Sequence, residues 1–313
     1  RQIATLVLRV VELCRLIGAL SERLGYVRSK RQEGLKLSHH FATSCLRELL
    51  YAVLTLPHMG AISGVAETLE SVLAKLLRSD GCMPIVVRWR EVLLENLSGP
   101  RILRRSTGMT TAVMALLRPL ASQLGPCKVL SGDLQVGKTL QHLLNAATFA
   151  CQRMADSSQV AALDALTLCF RHRGIMVAAQ TEATAEGHDL LPQALRIAIT
   201  VQNSDHWAAQ NSAAQLFDAV AQRLAGDGGL QVGNTEDSRT VSLASCLSAH
   251  PSLEHVILEL IDPTQGLRAK FYVLLFLSLF KPSNLAHRQA ETVLQAEHLL
   301  VFIGTCNAAP SIR

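Results

Sequence analysis

One spacing returns along the whole sequence and leaves it few folds to choose from. Apolar side chains recur three and four positions apart, over stretches that each stop at Gly, Pro, Ser or Asp. Leu6, Val10, Leu13, Ile17, Leu20 and Leu24 open the series, and Gly25 closes it. Phe41, Cys45, Leu49, Ala52 and Val53 repeat the stripe behind Ser38, a good N-cap, and Pro57 to Gly60 turns the chain into a partner helix from Ala61 to Arg78. The same spacing predicts helices over Met83–Leu97, Thr107–Leu124, Lys138–Met154, Ser158–Phe170, Leu190–Val201, His206–Leu224, Arg239–Ala249, Leu253–Ile261, Gln265–Phe280 and Leu285–Cys306. Pro119 is expected to kink or break its helix, because it lacks an amide hydrogen and clashes with the preceding turn. Ala178–Asp189, polar and alanine-rich, reads as a long loop.

Aromatic residues make up only 4% of the chain while Leu and Ala dominate, a profile of packed helices and not of a sandwich or barrel. Helices with short connections pair as antiparallel hairpins, here at a period of about forty residues. The expected fold is all-α, an α-solenoid of HEAT or armadillo type. It divides into N-terminal repeats over 1–98, repeats bearing the distinctive motifs over 99–225 and C-terminal repeats over 239–313, as one solenoid segment. The opening on Arg1 in place of Met reads as a piece of a longer chain.

At 313 residues, 49% hydrophobic and 18% charged, the sequence has ample material for a buried core and is not disordered. The most apolar run, Lys270 to Phe280, is far shorter than the roughly 20 residues that span a bilayer, so it reads as a buried core helix and no membrane association is expected. A formal charge of +5 permits contact with RNA or an acidic protein without demanding either. The eight cysteines are scattered without paired short spacing and read as small buried side chains of a reducing compartment. His39-His40 has no third ligand nearby, so no metal site is expected.

Two stretches stand apart from this background. Ser98-Gly99-Pro100 ends one helix and starts another, and Arg101, Arg104 and Arg105 follow at i, i+3 and i+4. A helix N-terminus is already partly positive, so three cations there call for an anionic counterpart. That counterpart is either carboxylates of a neighbouring helix or a partner's carboxylates or RNA backbone. Farther on, Asn203-Ser204-Asp205 offers N-caps for the helix that begins His206-Trp-Ala-Ala-Gln-Asn-Ser212. Trp207, Ala214, Phe217, Val220 and Leu224 are expected to form its core face. Asn211 falls on that face too and should bridge backbone groups of the adjacent repeat.

Gly132-Asp-Leu-Gln-Val-Gly137-Lys138-Thr139 matches the phosphate-cradling P-loop pattern letter for letter. That motif needs a buried strand feeding the glycine loop and a helix leaving it. Only Cys127 to Leu130 lies upstream, and the closest acidic partner segment, Val256 to Asp262, is interrupted by Glu259 and reads as a helix. Gly132 and Gly137 therefore read as shaping an inter-helix loop, with Gly132, Gly137, Lys138 and Thr139 standing as a nucleotide-binding alternative. No serine elbow, catalytic cysteine context, dinucleotide fingerprint or zinc motif is present. The sequence points to a protein that holds a partner, not to an enzyme.

Arg104-Arg105-Ser106-Thr107-Gly108-Met109 resembles the Arg-Arg-Ser-Ala-Gly-Leu signature of the THADA family, and the Trp207 stretch resembles its Trp-Ala-Val-Arg-Asn-Ser motif. Segments from His39 to Gly64 and from His250 to Leu279 are similar to further pieces of that family in the same order. The resemblance implies a non-catalytic, helical-repeat partner of an FtsJ-type tRNA 2′-O-methyltransferase. The pair would methylate a ribose in the tRNA anticodon loop, in the cytoplasm. The enzyme would bring S-adenosylmethionine, and no cofactor is expected in this chain. Candidate partner- and RNA-binding residues are Arg101, Arg104, Arg105, Ser106, Gly108, Trp207 and Asn211. Thr107 replaces the family's Ala, Met109-Thr110 its Leu-Pro, and Gln210 an Arg whose loss removes one possible anion contact. The alternatives are a P-loop nucleotide hydrolase and a protein-only HEAT adaptor.

Overall fold

The computed structural model describes residues 47–56, 58–77, 83–98, 106–123, 136–149, 156–185, 187–225, 242–262 and 264–280. Among these no β-strand is present, and the chain is all-α. It forms two compact units, residues 1–190 and 191–313.

In the first unit a helical segment over 47–55 leads to α1 (Met59–Leu77), α2 (Met83–Ser98), α3 (Ser106–Gln123), α4 (Val136–Phe149), α5 (Asp156–Arg171) and α6 (Arg173–Ala185). Much of the packing joins every second helix, and α3 also reaches α6. α1 lies on α3 and α3 on α5, while α2 meets α4 and α4 meets α6, with α4 also against α5. Two layers built this way are the α-solenoid arrangement, in which each hairpin buries its apolar stripe against its neighbours. α1, α3 and α5 start at Met59, Ser106 and Asp156, a period of about fifty residues and not forty.

Fully buried Leu49, Leu69, Leu73, Met109, Leu117, Leu120, Leu140 and Phe170 form the core of this unit. Each contributes about 1.5–3 kcal/mol by leaving water. That packing explains the first correction, because α3 runs unbroken through Pro119. Leu116, Leu117 and Leu120 are buried on either side of it and hold the helix together despite the missing hydrogen bond.

The second correction concerns Ala178–Asp189, which is mostly helix and not loop. α6 buries Ile175, Met176, Ala178, Ala179 and Ala183, a stripe of largely small side chains, and alanine is the strongest helix former. His172 starts it by accepting the Ile175 amide at Nδ1, 3.3 Å away. Gly187 ends it at φ 72° while the His188 amide reaches back to the Ala183 carbonyl at 2.8 Å, a Schellman-type cap.

The second unit comprises α7 (Leu190–Thr200), a 3-10 turn (Val201–Asn203), α8 (Trp207–Ala225), α9 (Leu243–Ala249), α10 (Ser252–Ile261) and α11 (Leu267–Leu277). The 3-10 turn touches both α8 and α11, and α10 packs on α11. Phe217 meets Tyr272 edge to face at 5.0 Å, and Arg196 pairs with Glu259 at 2.6 Å. Val256–Asp262, the segment nearest to an acidic P-loop partner, is thus helical as far as Ile261 and its Glu259 engaged. α11 corrects a third expectation. It buries Ala269, Val273 and Phe276 but exposes Phe271, Leu274 and Leu275 of the run from Lys270 to Phe280, with Leu267 ahead of it, so only one face of the helix is covered. The helix expected over Leu285–Cys306 lies outside the described residues.

Among the described residues no helix is long and apolar enough to cross a membrane. Cys169 and Cys246 are buried thiols. Burial pushes the Cys169 thiol up to about 12, against the opposing pull of the Arg118 charge. Cys169 should therefore resist iodoacetamide near pH 8 and react only when urea opens the fold. Peptide mapping of the alkylated chain checks this; labelling of the folded protein at Cys169 would contradict it.

Candidate functional site

The first candidate region is the entry to α3. Arg101, Arg104 and Arg105 lie outside the described residues, and Ser106 is the first residue of the helix. Gly108, two positions on, is buried where α3 crosses the 47–55 segment. A Cβ built on it would lie 2.6 Å from the Val53 carbonyl oxygen and 3.3 Å from Leu54 Cα. Only hydrogen fits there. The glycine of the signature thus has a packing role, fixing the helix whose first turn follows directly from Arg105. Met109 and Thr110, which depart from the family pattern, are both buried, and Thr110 Oγ1 donates to the Thr107 carbonyl at 2.9 Å.

The second region is the start of α8, and here the structure corrects two expectations. Trp207 is 76% exposed, and Asn211 is exposed as well. The buried face runs through Ala209, Ser212, Ala213, Leu216, Phe217, Val220 and Leu224. Phe217, Val220 and Leu224 were expected there. Trp207 and Asn211, however, each lie two residues from Ala209, about 200° around the helix axis. Small Ala209 and Ala213 set the phase of the helix by allowing close approach, and the large indole is turned to solvent.

A polar network holds this start in place. The His206 amide donates to Ser204 Oγ at 3.2 Å, the Gln210 side-chain amide donates to the Ser204 carbonyl, and buried Gln202 donates through Nε2 to the Gln210 carbonyl at 3.2 Å. Arg268 Nη1 approaches the Gln202 carbonyl at 3.5 Å from the start of α11. Gln210, standing where the family has Arg, braces the turn. Gln202 lies one residue ahead of the capping run and carried no sequence signal, since its role depends on a backbone carbonyl eight residues on.

The third region is the P-loop match. Gly132 lies outside the described residues. Gly137, Lys138 and Thr139 fall in the first turn of α4, with Val136, Thr139 and Leu140 buried in the core. The Gly137 amide, which a P-loop would aim at a phosphate, donates instead to Glu182 Oε2 at 2.7 Å. A carboxylate of the same chain thus satisfies the amide and offsets the positive end of the helix. A phosphate does not fit where that carboxylate sits. Sequence reasoning missed Glu182, since nothing links residues 45 positions apart until the layers stack. Glu182→Gln, which keeps an oxygen acceptor, should cost less than Glu182→Ala, at about 1 kcal/mol. Urea midpoints at unchanged slope measure both, and equal stabilities for wild type and alanine variant would show the bond to be idle.

Among the described residues no group of three or more His, Cys, Asp or Glu side chains is placed to hold a metal. The layered helices define a helical-repeat protein. The chain belongs to the THADA/TRM732, DUF2428 family, whose model matches residues 8–208, taking in the arginine signature and Trp207. No curated protein matches the chain. A crystal structure of SYS-1 is similar at 12% identity and a TM-score of 0.29, with 90% of this chain and 59% of that chain covered. The chain thus spans less than two thirds of that protein's length, and a likeness at this TM-score carries no argument about fold or function.

Proposed function

We propose that this protein is the non-catalytic scaffold of a tRNA-modifying pair, binding an FtsJ-type methyltransferase and positioning tRNA for 2′-O-ribose methylation in the anticodon loop, in the cytoplasm. The observation that carries the reading is the family match over residues 8–208, which spans the Arg104-Arg105-Ser106-Thr107-Gly108-Met109 signature. The layered helices suit it, because stacked hairpins offer an extended surface on which two partners can be held side by side. Arg101, Arg104 and Arg105 supply the cations, Gly108 fixes the helix behind them, and Trp207 with Asn211 forms a second contact. S-adenosylmethionine belongs to the partner enzyme in this scheme.

Co-purification from native extract tests it. The chain should retain an FtsJ-type enzyme, and its deletion should remove anticodon-loop ribose methylation. Absence of the enzyme together with unchanged methylation would overturn the proposal. The uncovered stripe on α11 favours a second reading, a protein-only adaptor. That reading expects partner retention with no tRNA binding at any salt concentration. The nucleotide-hydrolase alternative has the Glu182 carboxylate against it, seated on the amide a phosphate would need.

A further inference from the structure

We infer that Trp207 is a stacking platform for an unpaired RNA base, with Asn211, one turn along the same face, contacting the edge of that base; the inference rests on the scaffold reading above. The chain has two tryptophans, and they contrast sharply. Trp89 is 6% exposed, whereas Trp207 is the most exposed large apolar side chain among the described residues. An indole in water forgoes the burial of about 150–250 Å² that usually justifies its presence.

The surroundings on its helix select the partner. The exposed face of α8 runs through Trp207, Ala208, Asn211, Gln215, Asp218 and Gln222, with no second large apolar side chain. An aromatic anchor in a protein interface works within a desolvated cluster of well-packed neighbours. A single ring set among amides suits a base instead, because stacking needs one π face and the base edge needs hydrogen-bond partners. Asn supplies a donor and an acceptor on one planar group, the pairing that matches adenine. The α11 stripe is the opposite case, with four large apolar side chains on one helix face.

The platform is also braced. The Gln210 side chain, bonded to the Ser204 carbonyl, and Gln202, bonded to the Gln210 carbonyl, fix the first turn from which Trp207 projects. Arg268, exposed and bonded to the Gln202 carbonyl, puts a cation at the same turn, suited to the phosphate flanking a stacked base. A preorganised ring loses little entropy on binding.

The test uses the purified full chain with a short single-stranded RNA of anticodon-loop sequence, and the same backbone without bases as control. Base-bearing RNA should quench the red-shifted emission of exposed Trp207, and the base-free backbone should not. Trp207→Ala should weaken binding about tenfold and Trp207→Leu equally, whereas Trp207→Phe should stay within about threefold, since stacking needs a ring. Circular dichroism should be unchanged in all three, the side chain being exposed.

RNA bound without quenching, or Trp207→Leu binding as well as Trp207→Phe, would overturn the inference and leave the scaffold reading standing. Loss of methyltransferase retention in Trp207→Ala with RNA affinity intact would also overturn it, by assigning the ring to a protein contact. No RNA binding even with the methyltransferase present would overturn both.

Discussion

Alanine at both Arg104 and Arg105 is expected to abolish anticodon-loop ribose methylation while leaving the helical spectrum intact and the melting temperature equal or slightly higher. The sign of the stability change makes the result informative. Two cations just ahead of Ser106, the first residue of α3, oppose the partial positive charge of a helix N-terminus, so their removal relieves about 0.3–1 kcal/mol. If they serve instead in ion pairs within the chain, their loss costs up to about 1 kcal/mol and methylation survives. Hydrogen bonds to charged groups contribute about 1.5–3 kcal/mol each, so losing two to a partner implies a drop of two to four orders of magnitude. Lysine at both positions keeps the charge but not the planar fork. Partial activity in that variant would point to paired, planar recognition of carboxylate or phosphate, and full activity to charge alone. A collapse of folding in the alanine variant would mean that the arginines are structural.

Gly108→Leu should unfold the contact between α3 and the 47–55 segment, and Gly108→Ala should already destabilise the chain by about 1–3 kcal/mol. A glycine-to-alanine change in an open helix interior gains about 1 kcal/mol, so the reversed sign isolates the close approach to the Val53 carbonyl. Denaturant titration at constant slope measures the alanine variant. Methylation should fall with stability although both arginines are retained, because the helix that directly follows them in sequence is no longer seated. An alanine variant as stable as the parent would show that the helices can slide apart at little cost.

The architecture was legible because it depends on local periodicity. Leu253–Ile261 was expected and Ser252–Ile261 is helical; Leu190–Val201 was expected and Leu190–Thr200 is helical. Features that depend on which helices become neighbours were not legible. The rotation of α8 is set by Ala209 and Ala213, whose small size hid the buried face and made Trp207 look like core. α6 was hidden in the same way, by a stripe of alanines mixed with polar residues. Phe271, Leu274 and Leu275 on α11 fall in a run that reads as core because hydrophobicity records preference and not whether a neighbour is present. The seat of Gly108 and the carboxylate on Gly137 required partners from distant parts of the sequence. In the candidate site, the motif residues could be picked out by type, but their division into anchors and contacts could not.

The every-second-helix packing of the first unit also bears on how such a protein can change in length over evolution. Because each hairpin answers mainly to the hairpins beside it, one can be duplicated or dropped without redrawing the rest. The span available for a long cargo then follows from copy number and not from the refinement of any single part.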